Sequence, residues 1–285
     1  MAHLAQERYS SLVLAKLRAS LVTKDEVIFN TNYEGDPKAG IVKIPVRDAE
    51  VAVSDYNKAT GISGATGSTT YLSLPITKDR AVNEIIDGFD AQSVPDKLVA
   101  DRLDSAGYSI GSDVDKYSIG ILEAGGTVIA TKTALTKSTV YDQFVDMATA
   151  LTEANVPMSG RYAIVSPSVY ALLLKDTTNF IRQGDLSTEM MATGAIGQIA
   201  GLAVYVSNNL MKANTTIEAG KTTTTEIIAG HPMFATRVNE FSVPVHLQDL
   251  NGSGSYIGAS AIQGRLVYDA KVLRATAIQI KRVEV

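Results

Sequence analysis

Hydrophobic residues in the first part of the chain follow a period of two. The alternation runs through residues 41–46, continues through residues 50–55 and returns in residues 71–77, and this pattern predicts two long antiparallel strands. Residues 61–70 between them are uncharged and glycine-rich, which predicts a flexible tip. Because a two-stranded ribbon has too little core to be stable alone, this arm is expected to lean on another surface, such as that of a neighbouring subunit.

Helical spacing of apolar residues marks four other segments. It predicts helices over residues 6–21, 81–124, 138–154 and 168–174. The longest of these has Ser93 near its cap and Pro95 in its first turn, and a helix of about 25 residues is about 37 Å long. Gly107 and Gly111 lie inside it and predict a kink.

Short apolar runs predict the remaining strands. They cover residues 161–166, 202–207, 226–231, 260–268 and 272–283. The threonine-rich residues 214–225 and the glycine-rich residues 251–255 are predicted to be surface loops. Helices and strands follow one another without an internal repeat, which predicts an α+β fold.

The composition is that of a globular protein without specialised chemistry. Its 285 residues suffice to bury a core in one or two domains, and 45% are hydrophobic and 20% charged. The absence of cysteine excludes disulfides and thiolate metal sites. A net charge of −4 without a dense basic cluster disfavours tight binding to nucleic acid. No apolar run approaches the roughly 20 residues that span a bilayer and no signal peptide is evident, so we expect synthesis in the cytoplasm and no membrane.

Two glycine-rich segments are candidates for phosphate binding, and both are better interpreted as turns. Residues 61–67 lack the Lys-Ser/Thr ending of a P-loop and lie between two predicted strands instead of before a helix. Gly194, Gly197 and Gly201 have the wrong spacing for a dinucleotide fingerprint and precede a strand. We therefore predict no cofactor and no cofactor-binding residue.

Ionisable residues form no catalytic or metal-binding pattern. Three histidines share no ligand spacing with one another or with nearby carboxylates: His3, His231 and His246. The carboxylate pairs Asp101/Asp104 and Asp113/Asp115 fall on the predicted long helix, and we interpret them as parts of its solvated face. The prediction is a protein with no catalytic residue and no metal site.

Four stretches, taken in order, carry a resemblance to a known family. They are residues 33–46 at the entry to the arm, residues 94–117 of the long helix, the strand–helix–strand module of residues 157–210, and the final strand pair ending at Val285. In this order they resemble the tailed-bacteriophage major capsid proteins with the HK97-type fold. The resemblance implies an N-terminal arm (1–35), an extended E-loop hairpin (36–80), a peripheral domain with the spine helix (81–135), an axial domain (136–255) and C-terminal strands returning to the peripheral domain (256–285).

The resemblance also implies a function and partners. Copies of the chain are expected to self-assemble as a homo-oligomer, through pentamers and hexamers, into an icosahedral shell. This shell is the capsid of the virion and encloses phage double-stranded DNA without sequence-specific binding. A separate scaffolding protein, a portal and decoration proteins are the expected partners, and synthesis is expected in the bacterial host cytoplasm. The chain is then structural and not an enzyme.

Eight residues are predicted to lie at contacts between subunits. They are Tyr56, Lys58, Ile62, Tyr71, Arg102, Tyr108, Asp185 and Met233. Two other functions stay open. The fold is shared with encapsulins, whose shells hold a cargo enzyme in place of DNA, and an enzyme of unknown chemistry would need a convergent polar site.

Overall fold

The computed structural model of the protein describes most of the chain. The described residues are 18–19, 21–23, 26–34, 40–46, 53–62, 69–93, 98–175, 181–182, 195–210, 216–218, 221–251 and 256–284. Their helices are α1 (Gly88–Ser93), α2 (Leu98–Gly125), α3 (Val140–Glu153) and α4 (Pro167–Lys175). Their strands are β1 (Ile41–Val46), β2 (Thr70–Pro75), β3 (Lys78–Ile86), β4 (Thr127–Val128), β5 (Tyr162–Val165), β6 (Ile181–Arg182), β7 (Gly197–Ile199), β8 (Leu202–Val206), β9 (Thr216–Glu218), β10 (Lys221–Gly230), β11 (Ala235–Asp249), β12 (Ser260–Val272) and β13 (Ile278–Glu284).

The largest sheet is mixed and has a core on each face. Its strand order is β4-β13-β10-β5-β8-β7-β6, with β9 beside β10, and the pairs β5–β8 and β13–β4 are parallel. Successive residues of a strand point to opposite faces, so Val165 packs with Phe144 of α3 while Ile164 packs with Ile119 of α2 and with Phe29. All five of these side chains are fully buried.

A second sheet, of order β11-β12-β3, lies against the first half of α2. Ile86 of β3, Ile262 of β12 and Ala106 of α2 form its core. At 28 residues, α2 is about 42 Å long and joins the cores of both sheets. It is the long helix that the sequence predicts, and it runs unbroken through Gly107 and Gly111, where a kink was expected.

The arm is a separate two-stranded sheet of β1 and β2, as the alternation predicts. The strands are antiparallel, with Ile41 opposite Pro75 and Val46 opposite Thr70. Ile44 and Leu74 face inward and pack against Val238 of β11. The hairpin therefore packs its inner face on the rest of the subunit, and Lys271 Nζ donates a further hydrogen bond to the Ser73 carbonyl at 2.6 Å. The predicted continuation of the strand through residues 50–55 is wrong for residues 53–55, which are exposed and not in a strand, while residues 50–52 lie outside the described part.

Several other boundaries differ from the prediction. The helix predicted to begin at residue 81 is instead β3 at that point, because residues 78–86 pair along their whole length with β12. The predicted loop at residues 214–225 is wrong for residues 216–218, which form β9, and for residues 221–225, which begin β10. Thr223 and Thr225 are buried there, since β-branched side chains fit a strand that pairs on both sides. Residues 211–215 and 219–220 lie outside the described part.

Two further differences concern the N-terminal helix and the second sheet. Of the helix predicted over residues 6–21, the described residues 18, 19 and 21 are not helical, and the others lie outside the described part. The polar partners of residues 18 and 19 are the α2 side chains Asp104 and Tyr108. The strand β11 was not predicted, because two register irregularities, at Asn239/Phe241 and at Val243/His246, interrupt its period-two pattern. The strand predicted over residues 272–283 is confirmed only from residue 278, because residues 273–277 form a turn between β12 and β13. The other predicted strands, and α3 and α4, are confirmed.

Candidate inter-subunit surfaces

The outer part of the arm exposes large apolar side chains around a preformed turn. The exposed fractions are 98% for Val53, 71% for Tyr56, 54% for Ile62 and 64% for Tyr71. The Asn57 carbonyl accepts a hydrogen bond from Gly61 N at 2.8 Å, and its side-chain Oδ1 accepts one from Ala59 N at 2.8 Å. Gly61 takes a φ of +68°, which glycine adopts without strain. The two hydrogen bonds that shape the turn are thus local to residues 57–61.

The base of the arm is fixed by one buried carboxylate, Asp269 of β12. Its Oδ2 accepts hydrogen bonds from Thr77 N at 2.9 Å and Thr77 Oγ1 at 2.8 Å, directly after β2. Its Oδ1 accepts from Tyr117 Oη of α2 at 2.7 Å and from Ala270 N at 2.8 Å. Burial, and then the Asp269 carboxylate, raise the pKa of Tyr117. Asp269 thus ties the arm, the second sheet and the long helix together.

A second exposed apolar surface, the distal tip, lies at the far end of the second sheet. It consists of Ile85, Phe89, Tyr256 and Ile257, of which Phe89 is 78% and Ile257 89% exposed. Its two segments approach closely at Gly88, because a Cβ there would overlap the Gly258 carbonyl. Exposed apolar patches on a folded chain indicate surfaces that bind another molecule.

The predicted contact residues lie at three separate places. Tyr56, Lys58, Ile62 and Tyr71 are all on the exposed outer part of the arm. Arg102 and Tyr108 are on α2. The Arg102 guanidinium donates two hydrogen bonds to Glu84 of β3, at 2.7 and 2.8 Å.

Of the last two predicted residues, the structure describes one. Met233 is 54% exposed, in the turn after β10. Asp185 lies outside the described residues. Sequence reasoning missed Asp269 and the distal tip. The signal that could have identified Asp269 is that it is the single aspartate within the apolar pattern of residues 260–272.

Of the carboxylates predicted to be solvated, Asp115 is the exception. It is 1% exposed, because residues 22–23 and Asn209 cover it, so its interpretation as part of a solvated face is wrong. Asp113 keeps a half-exposed side chain and pairs with Arg80 at 3.0 Å. Asp115 is a structural acceptor, since all its described partners are hydrogen-bond donors of the same subunit.

The spacing Gly107-x-Ser109-x-Gly111 matches that of a hydrolase nucleophile elbow but has the wrong structure. An elbow requires a sharp strand-to-helix turn, whereas these residues are in the middle of α2. The Ser109 hydroxyl donates to the Ser105 carbonyl at 2.9 Å, one helical turn earlier. The match therefore carries no catalytic meaning.

Two clefts of about 440 Å³ each flank the loop between α3 and β5. They share Met158, Arg161 and Gly201. The Arg161 guanidinium donates to the carbonyls of Ala148, Val156 and Pro157, so it closes the carboxyl end of α3, where a cation is favoured. Burial lowers the pKa of Arg161. Its donors are engaged within the subunit, and the clefts gather no set of groups suited to acid–base chemistry.

His231 borders this region as a neutral side chain. Its Nδ1 accepts a hydrogen bond from Met233 N at 3.1 Å, and its Nε2 therefore carries the proton and donates to the Ser159 carbonyl at 2.9 Å. Burial is the largest influence and lowers the pKa of His231, Arg161 lowers it further, and the Ser159 contact opposes them. Protonation would put a second donor at Nδ1, facing the Met233 N–H.

We expect acid to destabilise the subunit through His231. The unfolded histidine titrates near pH 6.5, above its folded pKa, so its stabilising contribution is complete above about pH 6.5 and is lost as the pH falls through the folded pKa. Urea unfolding of the wild type should show a lower midpoint at pH 5 than at pH 7.5. In His231→Asn, whose side-chain oxygen can still accept from Met233 N, this difference should shrink. An unchanged difference would contradict the assignment.

Among the residues that the structure describes, no three histidine, aspartate or glutamate side chains converge as a metal site. None of the described helices is long and apolar enough to cross a membrane.

Comparisons with known proteins agree with this architecture. The family model described as phage capsid protein matches residues 85–280. A structure from Mycobacterium phage Che8 is similar with a TM-score of 0.75 and 23% identity, over 98% of this chain and 97% of that one. The capsid of cyanophage P-SCSP1u has a TM-score of 0.76 at 16% identity, covering 98% and 92%. The capsid of Myoviridae phage XM1 has a TM-score of 0.65 at 14% identity, covering 98% and 96%. No curated protein matches the sequence significantly.

Proposed function

Because this chain belongs to the phage capsid protein family, we propose that its copies close an icosahedral shell of pentamers and hexamers around phage double-stranded DNA. The fold is of the HK97 type, and the protein is a structural component of the virion capsid that assembles into a multimeric shell. In the proposal, synthesis takes place in the bacterial host cytoplasm. A separate scaffolding protein, a portal and decoration proteins assist the shell.

The exposed arm is the observation that carries the proposal. Val53, Tyr56, Ile62 and Tyr71 present their side chains to solvent on a hairpin whose inner face packs on the subunit. Fully burying one such side chain contributes about 1.5–3 kcal/mol, so a surface that covers the arm gains several times this amount. We assign that surface to an adjacent subunit. Such a contact joins two different patches, and repeated contacts of this kind close rings.

The domain division follows the same proposal. Residues 1–35 form the N-terminal arm, 36–80 the E-loop, 81–135 the peripheral domain with α2 as its spine helix, 136–255 the axial domain and 256–285 the returning strands. β11 falls within the proposed axial range, but it pairs with β12, which in turn pairs with β3, and this supports counting β11 with the peripheral sheet. The predicted residues Asp185 and Met233 then belong to loops near the capsomer centre, and Arg102 and Tyr108 to the spine.

The net negative charge of the chain supports a shell that encloses DNA without binding it tightly. Tight binding to many phosphates needs many cations, whereas this chain has 26 lysine and arginine against 30 aspartate and glutamate residues. Particles purified on a gradient after co-expression with the phage packaging proteins should protect genome-length DNA from nuclease. Particles that instead hold one enriched protein, and no protected DNA, would contradict the proposal and indicate a cargo compartment.

The distal tip is proposed as a second contact between copies. Replacing Phe89 and Ile257 by serine should leave subunit stability nearly unchanged, because both side chains are already exposed. The yield of sedimenting shells should fall about tenfold, since apolar contacts at the tip are lost in every copy. Leu174→Ser, at an exposed position of α4, is the matched control. Equal losses in the control and the tip variant would contradict a specific role of the tip.

A further inference from the structure

The chain before the first core residues lies along one face of α2. We call residues 18–23 the strap; Ser20 is outside the described residues. Arg18 Nη2 pairs with Asp104 at 2.5 Å, and Tyr108 Oη accepts a hydrogen bond from Ala19 N at 2.7 Å. At the other end, Asp115 Oδ1 accepts from Val22 N at 2.9 Å and from the N and Oγ1 of Thr23 at 2.8 and 2.9 Å.

The strap and the helix run in the same direction with matching lengths. The helix residues that it meets, 104, 108, 111 and 115, are spaced by four, three and four positions and so share one face. From Asp104 to Asp115 the helix rises about 16 Å. An extended chain covers about the same distance between Arg18 and Thr23. The contacts therefore form a ladder along three helical turns.

This ladder crosses the part of α2 with the weakest intrinsic tendency to be helical. Gly107 and Gly111 lie inside it, and each glycine costs a helix up to about 1 kcal/mol relative to alanine. The side chain of Leu21 occupies the space at Gly111, where a Cβ would lie 2.9 Å from Leu21 Cδ1. At Gly107 no described atom outside the helix's own backbone lies within 4 Å of where a Cβ would be. Gly111 thus makes room for Leu21 of the strap, whereas Gly107 only weakens the helix.

We propose that the strap is a splint that keeps α2 straight across residues 104–115. With the strap seated, the helix is continuous despite its glycines. When the strap leaves, the helix opens and bends at residues 107–111. The N-terminal segment of the chain thereby controls the stiffness of the element that joins the two sheets.

The contacts at the two ends of the splint differ in strength, so the strap should detach from α2 at one end before the other. The outer ion pair is exposed, with 29% of the Arg18 and 64% of the Asp104 side chain accessible, and exposed pairs are weak and screened by salt. The inner anchor is buried, and Asn209 Nδ2 donates a further hydrogen bond to Asp115 at 2.7 Å. A pull on the chain ahead of Arg18 therefore frees the strap from its outer end first.

Hydrogen exchange followed by mass spectrometry on the full-length, unassembled protein tests the splint. The strap bonds to side chains of α2, so the backbone amides of residues 105–112 report the helix itself. In the double variant Arg18→Ala/Tyr108→Phe these amides should exchange about fivefold faster. Amides of α3 should not change. An unchanged rate in residues 105–112 would overturn the proposal.

Two alanine substitutions separate a splint from a simple docking contact. Adding Gly107→Ala to the double variant should restore the exchange rates of residues 105–112 to within about twofold of wild type, because it strengthens the same stretch of helix. Gly120→Ala is the matched control, since it also adds a Cβ in open space on α2 but beyond the strap. Failure of Gly107→Ala to restore protection, or equal restoration by Gly120→Ala, would overturn the splint. Neither outcome depends on shell assembly.

Discussion

Deletion of residues 57–69 is expected to abolish shell assembly while leaving the subunit folded. The deletion removes the turn with Lys58 and Ile62, and it leaves β1 and β2 with their inward contact between Ile44, Leu74 and Val238. Because the deleted residues that the structure describes are exposed, the free energy of unfolding should change little. Circular dichroism and urea unfolding check the fold, and sedimentation velocity checks assembly. We expect free subunits or capsomers and no shells.

A variant of unchanged length separates the effect of shortening the arm from the effect of losing its apolar side chains. Tyr56→Ser/Ile62→Ser keeps the hairpin and its Asn57–Gly61 bridge but removes two exposed apolar side chains. It should reduce shell yield strongly without changing subunit stability. Shells of normal yield from the deletion would show that the arm does not join subunits.

Asp269→Ala is expected to cost the subunit about 3 kcal/mol or more in free energy of unfolding. The substitution removes the charged acceptor of Thr77 N and of Tyr117 Oη, and a hydrogen bond to a charged group contributes about 1.5–3 kcal/mol. It also frees the base of the arm, so the variant should assemble poorly even under conditions where it is folded. Urea unfolding of the unassembled subunit measures the first effect and sedimentation the second.

Asp79→Ala is the control for this substitution. Asp79 also joins β3 to β12, through a pair with Arg265 at 2.5 Å, but both side chains are about half exposed. Exposed pairs contribute little, so its unfolding midpoint should match that of the wild type. A loss as large as that of Asp269→Ala would show that burial is not what makes Asp269 important.

The parts of the fold that could be predicted from the sequence are those whose pattern is local. Ile44 and Leu74 alternate with exposed neighbours in β1 and β2, and Phe144 and Met147 recur at helical spacing in α3. Each of these elements buries one face and exposes the other. The period of its apolar residues therefore identifies both its type and its inward side.

The parts that could not be predicted depend on contacts between distant residues. The strap is not helical where it is described, because Asp115 and Tyr108 of α2 bond the backbone amides of residues 19, 22 and 23. Thr223 and Thr225 are polar in sequence but lie in a strand paired on both sides. Asp269 meets Thr77 from 192 residues away, the distal tip joins Gly88 to Gly258 across the chain, and no local period encodes such pairs.

Cryo-electron microscopy of particles assembled from the full-length protein, alone and with co-expressed phage proteins, tests the central claim most directly. We predict closed icosahedral shells of pentamers and hexamers in which each arm lies on an adjacent subunit and buries Tyr56 and Ile62. A protein that stays monomeric under every assembly condition, or shells whose arms contact only their own subunit, would contradict the account.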